Sequence, residues 1–159
     1  MYLTKFAETL KDLMELEGVS QRSLSMHLRV ERKCIRGWLK AHYFPKYSVL
    51  IKLAAYFRVR IDYLVGLEGY IGDEKGVVFP IGSEQSAAYR FRMLLKEYIC
   101  MEKFSIYALA KKLDIDQKAL KKWLTQNSMP SVFSIIKLAK LMGISMQELL
   151  VGEEEALTA

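Results

Sequence analysis

The 159-residue chain repeats itself. Shifted by about 85 positions, it aligns with itself without a gap over more than about sixty residues. Roughly a quarter of the aligned positions are identical, against the roughly one in twenty that chance allows. The identities are informative ones. Phe6 meets Phe91, Leu10 meets Leu95, Ser20 meets Ser105, Leu24 meets Leu109 and Leu28 meets Leu113. Trp38-Leu39 meets Trp123-Leu124, Pro45 meets Pro130, and Ile51-Lys52-Leu53-Ala54 meets Ile136-Lys137-Leu138-Ala139. A gapless match preserves every loop length, so both copies are expected to share one fold.

Each copy is small. Residues 1–69 and 88–152 delimit two domains of about 65 residues, enough for a core without disulfides but close to the lower limit. Residues 70–87 read as a linker and residues 153–159 as a frayed acidic tail. Within the linker, Tyr70-Ile71 and Val77-Val78-Phe79 flank a glycine-bounded stretch in the pattern of a short β-hairpin. The segment is either a connector whose apolar residues pack on a neighbouring domain or a small dimerisation element. Fully extended, some 18 residues reach about 60 Å.

Composition narrows the fold and the partners. Only 3 prolines and 9 glycines are present, few for an all-β fold with many tight turns, and a mainly helical protein of the all-α class fits better. The net charge is +6, and it follows the repeats. Residues 1–69 carry 12 Lys/Arg against 7 Asp/Glu, and residues 88–152 carry 11 against 5. Both copies are basic on their own, which points to an anionic partner.

Residues 1–16 hold Lys5, Glu8, Lys11, Asp12 and Glu15, which breaks any signal-peptide apolar region. No later apolar run is long enough to cross a bilayer. A cytoplasmic protein with no membrane partner is expected. Cys34 and Cys100 form no C-x-x-C pair and have no histidine at metal-ligand spacing. Both are expected to be reduced, buried small hydrophobes, with a reactive thiol as the lesser alternative. There is no glycine-rich phosphate loop, no paired histidine ligands and no nucleophile with a base at useful spacing. No enzyme, cofactor or metal is expected.

One copy reads as five helices. Phe6, Leu10, Leu13 and Leu16 recur at helical spacing and predict one apolar face, ended by Gly18. Ser20 suits the N-cap of a second helix with Leu24 and Leu28 inward. After Arg29-Val30 a third helix opens at Glu31, with Cys34, Ile35, Trp38 and Leu39 apolar and Arg32, Lys33, Arg36 and Lys40 on the other side. Pro45 precedes a fourth, with Leu50, Leu53, Ala54 and Phe57 inward, and residues 61–65 supply a short fifth. Trp38 and Trp123 fall at core spacing. His27 and His42 have no ligand partners and read as solvated surface, with a phosphate contact from His42 as the alternative.

Val19-Ser20-Gln21, Trp38, Pro45, Leu50-Ile51-Lys52-Leu53-Ala54 and Asp62-Tyr63-Leu64, in that order, resemble the Cro/phage-repressor (XRE-type) helix-turn-helix family. The second copy is similar through Ser105, Ala108-Leu109-Ala110-Lys111-Lys112-Leu113, Trp123, Pro130 and Met142-Gly143-Ile144-Ser145. The resemblance implies two tandem five-helix, lambda-repressor-like domains, each with its third helix in the major groove of double-stranded DNA and its second braced on the backbone. It implies base reading by Arg32, Lys33 and Arg36 in copy one and by Gln117, Lys118, Lys121 and Lys122 in copy two. Phosphate contacts are implied at Ser20, Gln21, Arg22 and Lys40, and at Ser105. The chemistry agrees, since Arg pairs with guanine O6/N7 and Gln with adenine N6/N7.

Copy two departs from the pattern. Ile106 stands where copy one has Gln21, which removes an expected phosphate contact; in both copies an acid, Glu31 or Asp116, stands where the family often has Ser or Thr and where phosphates approach. Copy one is therefore expected to be the better DNA reader. A transcriptional repressor reading an asymmetric site with both copies is the leading expectation. A homodimer in which copy two pairs the subunits is the variant. A protein-interaction module (antitoxin, anti-repressor or assembly adaptor) is the alternative from another class. No small-molecule effector is implied.

Overall fold

Helix boundaries in this protein follow from residues adjacent to them. The computed structural model describes residues 2–67, 84–126 and 128–151. Among these it has α1 (Tyr2–Glu17), α2 (Gln21–Leu28), α3 (Arg32–Leu39), α4 (Tyr47–Phe57), α5 (Ile61–Val65), α6 (Glu84–Glu102), α7 (Ile106–Leu113), α8 (Gln117–Thr125), α9 (Val132–Met142) and α10 (Met146–Leu150), and no strand. The chain divides into two compact units, α1–α5 in the first and α6–α10 in the second. The hairpin read in residues 70–79 and the acidic tail lie outside the described residues. Helix α6 starts at Glu84, inside the stretch read as linker, and buries Ala87.

In unit 1, α1 buries Phe6, Ala7, Leu10, Leu13 and Met14, and packs on α5 and α3. Leu16, expected on that face, is 77% exposed. At about 100° per residue it falls outside the arc shared by Phe6, Leu10, Leu13 and Met14, so Met14 completes the stripe instead. Gly18 ends α1 with φ +65°. Ser20 then caps α2, its Oγ accepting the Ser23 N–H at 3.0 Å. Leu24 and Leu28 of α2 are buried, as are Ile35 and Trp38 of α3 and Leu50, Leu53, Ala54 and Phe57 of α4. Full burial of each large apolar side chain contributes about 1.5–3 kcal/mol, which is how so short a chain segment holds a core.

Both cysteines are free, but neither is buried. Cys100 follows Phe91 by nine residues, half a revolution round α6, and so points away from the core that Phe91 enters. Cys34 sits at the edge of the buried arc of α3 and is half-buried.

The two units close their helices alike. Gly18 and Lys103, Arg29 and Asp114, and Arg58 and Gly143 occupy equivalent positions, and all six have φ between +55° and +71°. The backbone demands a left-handed residue at each place whatever the side chain, although an L-residue there is less favourable than glycine by roughly 1 kcal/mol. The fifth helices also agree: Asp62 and Gln147, at matching positions, are both fully buried. Arg60 offsets the buried Asp62 charge from 3.8 Å. No sequence pattern announced either polar side chain as part of the core.

The first and fifth helices of each unit are joined differently. In unit 2, Arg90 of α6 donates through Nε to the Glu148 carbonyl at 2.6 Å and through Nη2 to its Oε1 at 2.7 Å. In unit 1 the equivalent Lys5 lays its stem against Gly66, whose φ is +75°. A Cβ at position 66 would lie 2.6 Å from Lys5 Cβ. Gly66→Ala combines left-handed strain with overpacking and is expected to destabilise unit 1 by about 2–3 kcal/mol. Urea unfolding of the full chain checks this, and an unchanged midpoint would contradict it.

Candidate nucleic-acid interface

The third helix of each unit is two-faced. On α3, Ile35 and Trp38 point inward, with Trp38 3% exposed, while Arg32, Lys33 and Arg36 are exposed and Lys40 follows, exposed, at the C-cap. On α8, Leu120, Trp123 and Leu124 are buried, while Gln117, Lys118, Lys121 and Lys122 are exposed. Each third helix thus keeps its expected readers together on one solvent face.

These cations sit where helix electrostatics disfavours them. Neither α3 nor α8 has an acidic residue in its first turn, yet Arg32, Lys33 and Lys118 are placed there. The positive end of the helix dipole repels such charges by about 0.3–1 kcal/mol each. Glu31 offsets this for Lys33, and the Asp116 carboxylate lies at the same end of α8.

The residues just before each helix differ. Glu31 makes no capping bond to α3; its carboxylate instead pairs with Lys33 Nζ at 3.2 Å. The hydrogen bond and the charge of Glu31 hold the Lys33 ammonium above the ordinary lysine range. Asp116 does cap α8, its Oδ1 accepting the Lys118 N–H at 3.2 Å, so its acid is partly spent on its own helix. Ser20 and Ser105 both cap their helices, Ser105 Oγ accepting the Ala108 N–H at 3.0 Å. Both serines are exposed, and each hydroxyl proton remains available to a phosphate oxygen. Arg22 is exposed and Gln21 half-buried in the first turn of α2.

Matching grooves run beside the second helices. In unit 1, Lys11, Met14, Ser20, Gln21 and Leu39 line one; in unit 2, Lys96, Ile99, Cys100, Ile106 and Leu124 line the other. Ile106 lies beside Ile99 and Leu124 in its groove, at the place that Gln21 takes beside Met14 and Leu39 in unit 1.

A second groove in unit 2 gathers Gln117, Lys118 and Lys121 with Tyr107 and Lys111 of α7. Sequence reasoning named neither α7 residue as a contact. Tyr107 is 60% exposed beside three lysines, and its position matches Arg22, which could have flagged it. His27 lies against Tyr56, ring centroids 4.4 Å apart, and His42 is exposed. Among the described residues no group of three His, Cys, Asp or Glu could hold a metal ion, and no helix is long and apolar enough to cross a membrane.

A helix-turn-helix family model matches residues 95–149, which run from α6 into α10. No curated protein and no solved structure matches the chain. The family match supports a DNA-binding helix-turn-helix domain in unit 2. It falls on the copy that sequence reasoning placed second, so the departures at Ile106 and Asp116 do not take that unit out of the pattern.

Proposed function

We propose that this protein is a sequence-specific double-stranded DNA-binding transcriptional regulator, acting as a repressor, in which two lambda-repressor-like domains lay α3 and α8 in the major groove. The observation that carries it is the placement of charge. In each unit the helix after the capped turn buries its apolar side and shows solvent a face of Arg32, Lys33 and Arg36, or of Gln117, Lys118, Lys121 and Lys122. The gapless repeat and the shared left-handed closures favour two copies of one domain. Ser20, Gln21, Arg22 and Lys40, with Ser105 in unit 2, take the phosphate contacts that set register.

Because the two reading faces differ, one chain prefers an asymmetric site. Selection from a random double-stranded DNA pool at two salt concentrations tests this. An enriched, salt-sensitive and asymmetric motif is expected. A strictly palindromic motif would favour a homodimer in which one unit reads and the other pairs, and no enrichment would remove the DNA reading. Arg32→Ala is expected to cost about 1–3 kcal/mol of binding and to relax preference at one base pair. An equal loss on every sequence would make Arg32 a phosphate contact.

One observation favours a second reading, a protein-interaction module. Tyr89 and Met93 of α6 are 62% and 49% exposed, one turn apart. Binding through that apolar face would persist as salt rises, whereas phosphate-driven binding weakens steeply.

A further inference from the structure

Gly37 lies on the solvent side of α3, four residues after Lys33 and next to Arg36, and it is nevertheless buried. The Tyr43 phenol covers it. A Cβ at position 37 would stand 2.5 Å from both Cζ and Oη of Tyr43, far inside the separation at which carbon atoms rest against one another. The end of the ring therefore fills the space that a side chain at position 37 would take. Tyr43 is still 46% exposed, so the phenol lies on the basic face of α3 and not in the core.

The turn after α3 produces this arrangement. Ala41 is left-handed, with φ +58°. Its N–H donates to the Trp38 carbonyl at 3.1 Å, and the His42 N–H donates to the Gly37 carbonyl at 2.9 Å. The chain is thereby folded back, and residue 43 returns over residue 37. Unit 2 closes its third helix another way. Helix α8 runs on to Thr125, Gln126 is extended, and Arg92 donates to the carbonyls of Trp123 and Gln126. There the position equivalent to Gly37 holds exposed Lys122, and the position equivalent to Tyr43 holds Ser128. The units thus put a polar group at the same place on the third helix by different routes, one from the helix and one from the turn.

We propose that Tyr43 is a specificity-determining residue of unit 1, its phenol hydroxyl reading a base edge in the major groove at the place that Lys122 serves in unit 2. This deepens the DNA-binding reading above and rests on it. A phenol both donates and accepts a hydrogen bond, so it can meet a purine N7 or an exocyclic amino group. Being neutral, it releases no counterion, and losing it leaves the salt dependence of binding unchanged.

The test uses the full chain, the motif selected from the random pool and all single-base variants of that motif. Tyr43→Phe keeps the ring on Gly37 and deletes only the hydroxyl. Gly37→Ala keeps the hydroxyl and displaces the ring. Both are expected to weaken the preferred site by roughly 2- to 10-fold, the scale of one hydrogen bond, and to flatten preference at the same single base pair. Circular dichroism melting separates a folding defect from a reading defect, and agreement between the two variants carries the result if one of them melts early. Unchanged base preference in both, while wild type binds its motif and Arg32→Ala weakens it, overturns this inference and leaves the DNA reading standing. Equal loss on all sequences also overturns it, since Tyr43 would then touch only phosphate. A wild-type chain that enriches no motif overturns both.

Discussion

Phe91→Ala is expected to remove about 3–5 kcal/mol from unit 2, as large aromatic truncations in tight cores do. Phe91 is completely buried, together with Leu95, Leu109, Leu120, Ile135, Leu138 and Leu149. A domain of about 65 residues has only some 3–10 kcal/mol of stability in total, so the loss consumes most or all of it. The midpoint of unit 2 should fall by about 12–40 °C, at about 4–8 °C per kcal/mol for a domain of this size. About half of the helical circular dichroism signal should melt early, because α6–α10 hold about half of the described helix. Phe6→Ala should do the same to α1–α5, since Phe6 is equally buried at the matching position. If either substitution melts all the described helices in one transition, the two units fold as one and the tandem-domain reading fails.

The second large effect is on binding. If both reading faces lie on one duplex, Arg22, Arg32, Lys33, Arg36 and Lys40 enter the phosphate field with Lys111, Lys118, Lys121 and Lys122, and each cation displaces counterions whether it meets a phosphate or a base edge. Six to ten such contacts weaken affinity by about a thousand-fold or more between 50 and 200 mM salt. Four or five contacts, the share of one unit, give only about a hundred- to five-hundred-fold over the same range. The slope of log affinity against log salt therefore counts units on the DNA. Repeating the titration with the Phe91→Ala chain above its lowered midpoint should reduce the slope to the single-unit value. A slope that does not change would mean that unit 1 alone carries the duplex.

Most of the fold was legible because helices are local. The starts at Gln21 and Ile106 follow from Ser20 and Ser105, whose oxygens take a free N–H three residues on. The burial of Trp38 and Trp123 follows from spacing alone. The exceptions are set by phase: at about 100° per residue Leu16 and Cys100 point away from the buried stripes of α1 and α6, and both face solvent. Lys103, Arg29, Asp114 and Arg58 do the work of glycine in left-handed closures, where residue type carries no warning.

The sequence by itself determined that there are two similar basic helical segments, where most helices begin and end, and which side of each third helix is charged. Those properties depend on neighbours within one or two turns, and the repeat states them twice. The tertiary structure decided what covers that charged side. Tyr43 reaches Gly37 only because Ala41 adopts a conformation that alanine does not favour, and Arg92 closes α8 from a helix some thirty residues earlier in the chain. Such contacts depend on how the chain folds back on itself, a balance of strain and packing over the whole unit to which no single residue type testifies.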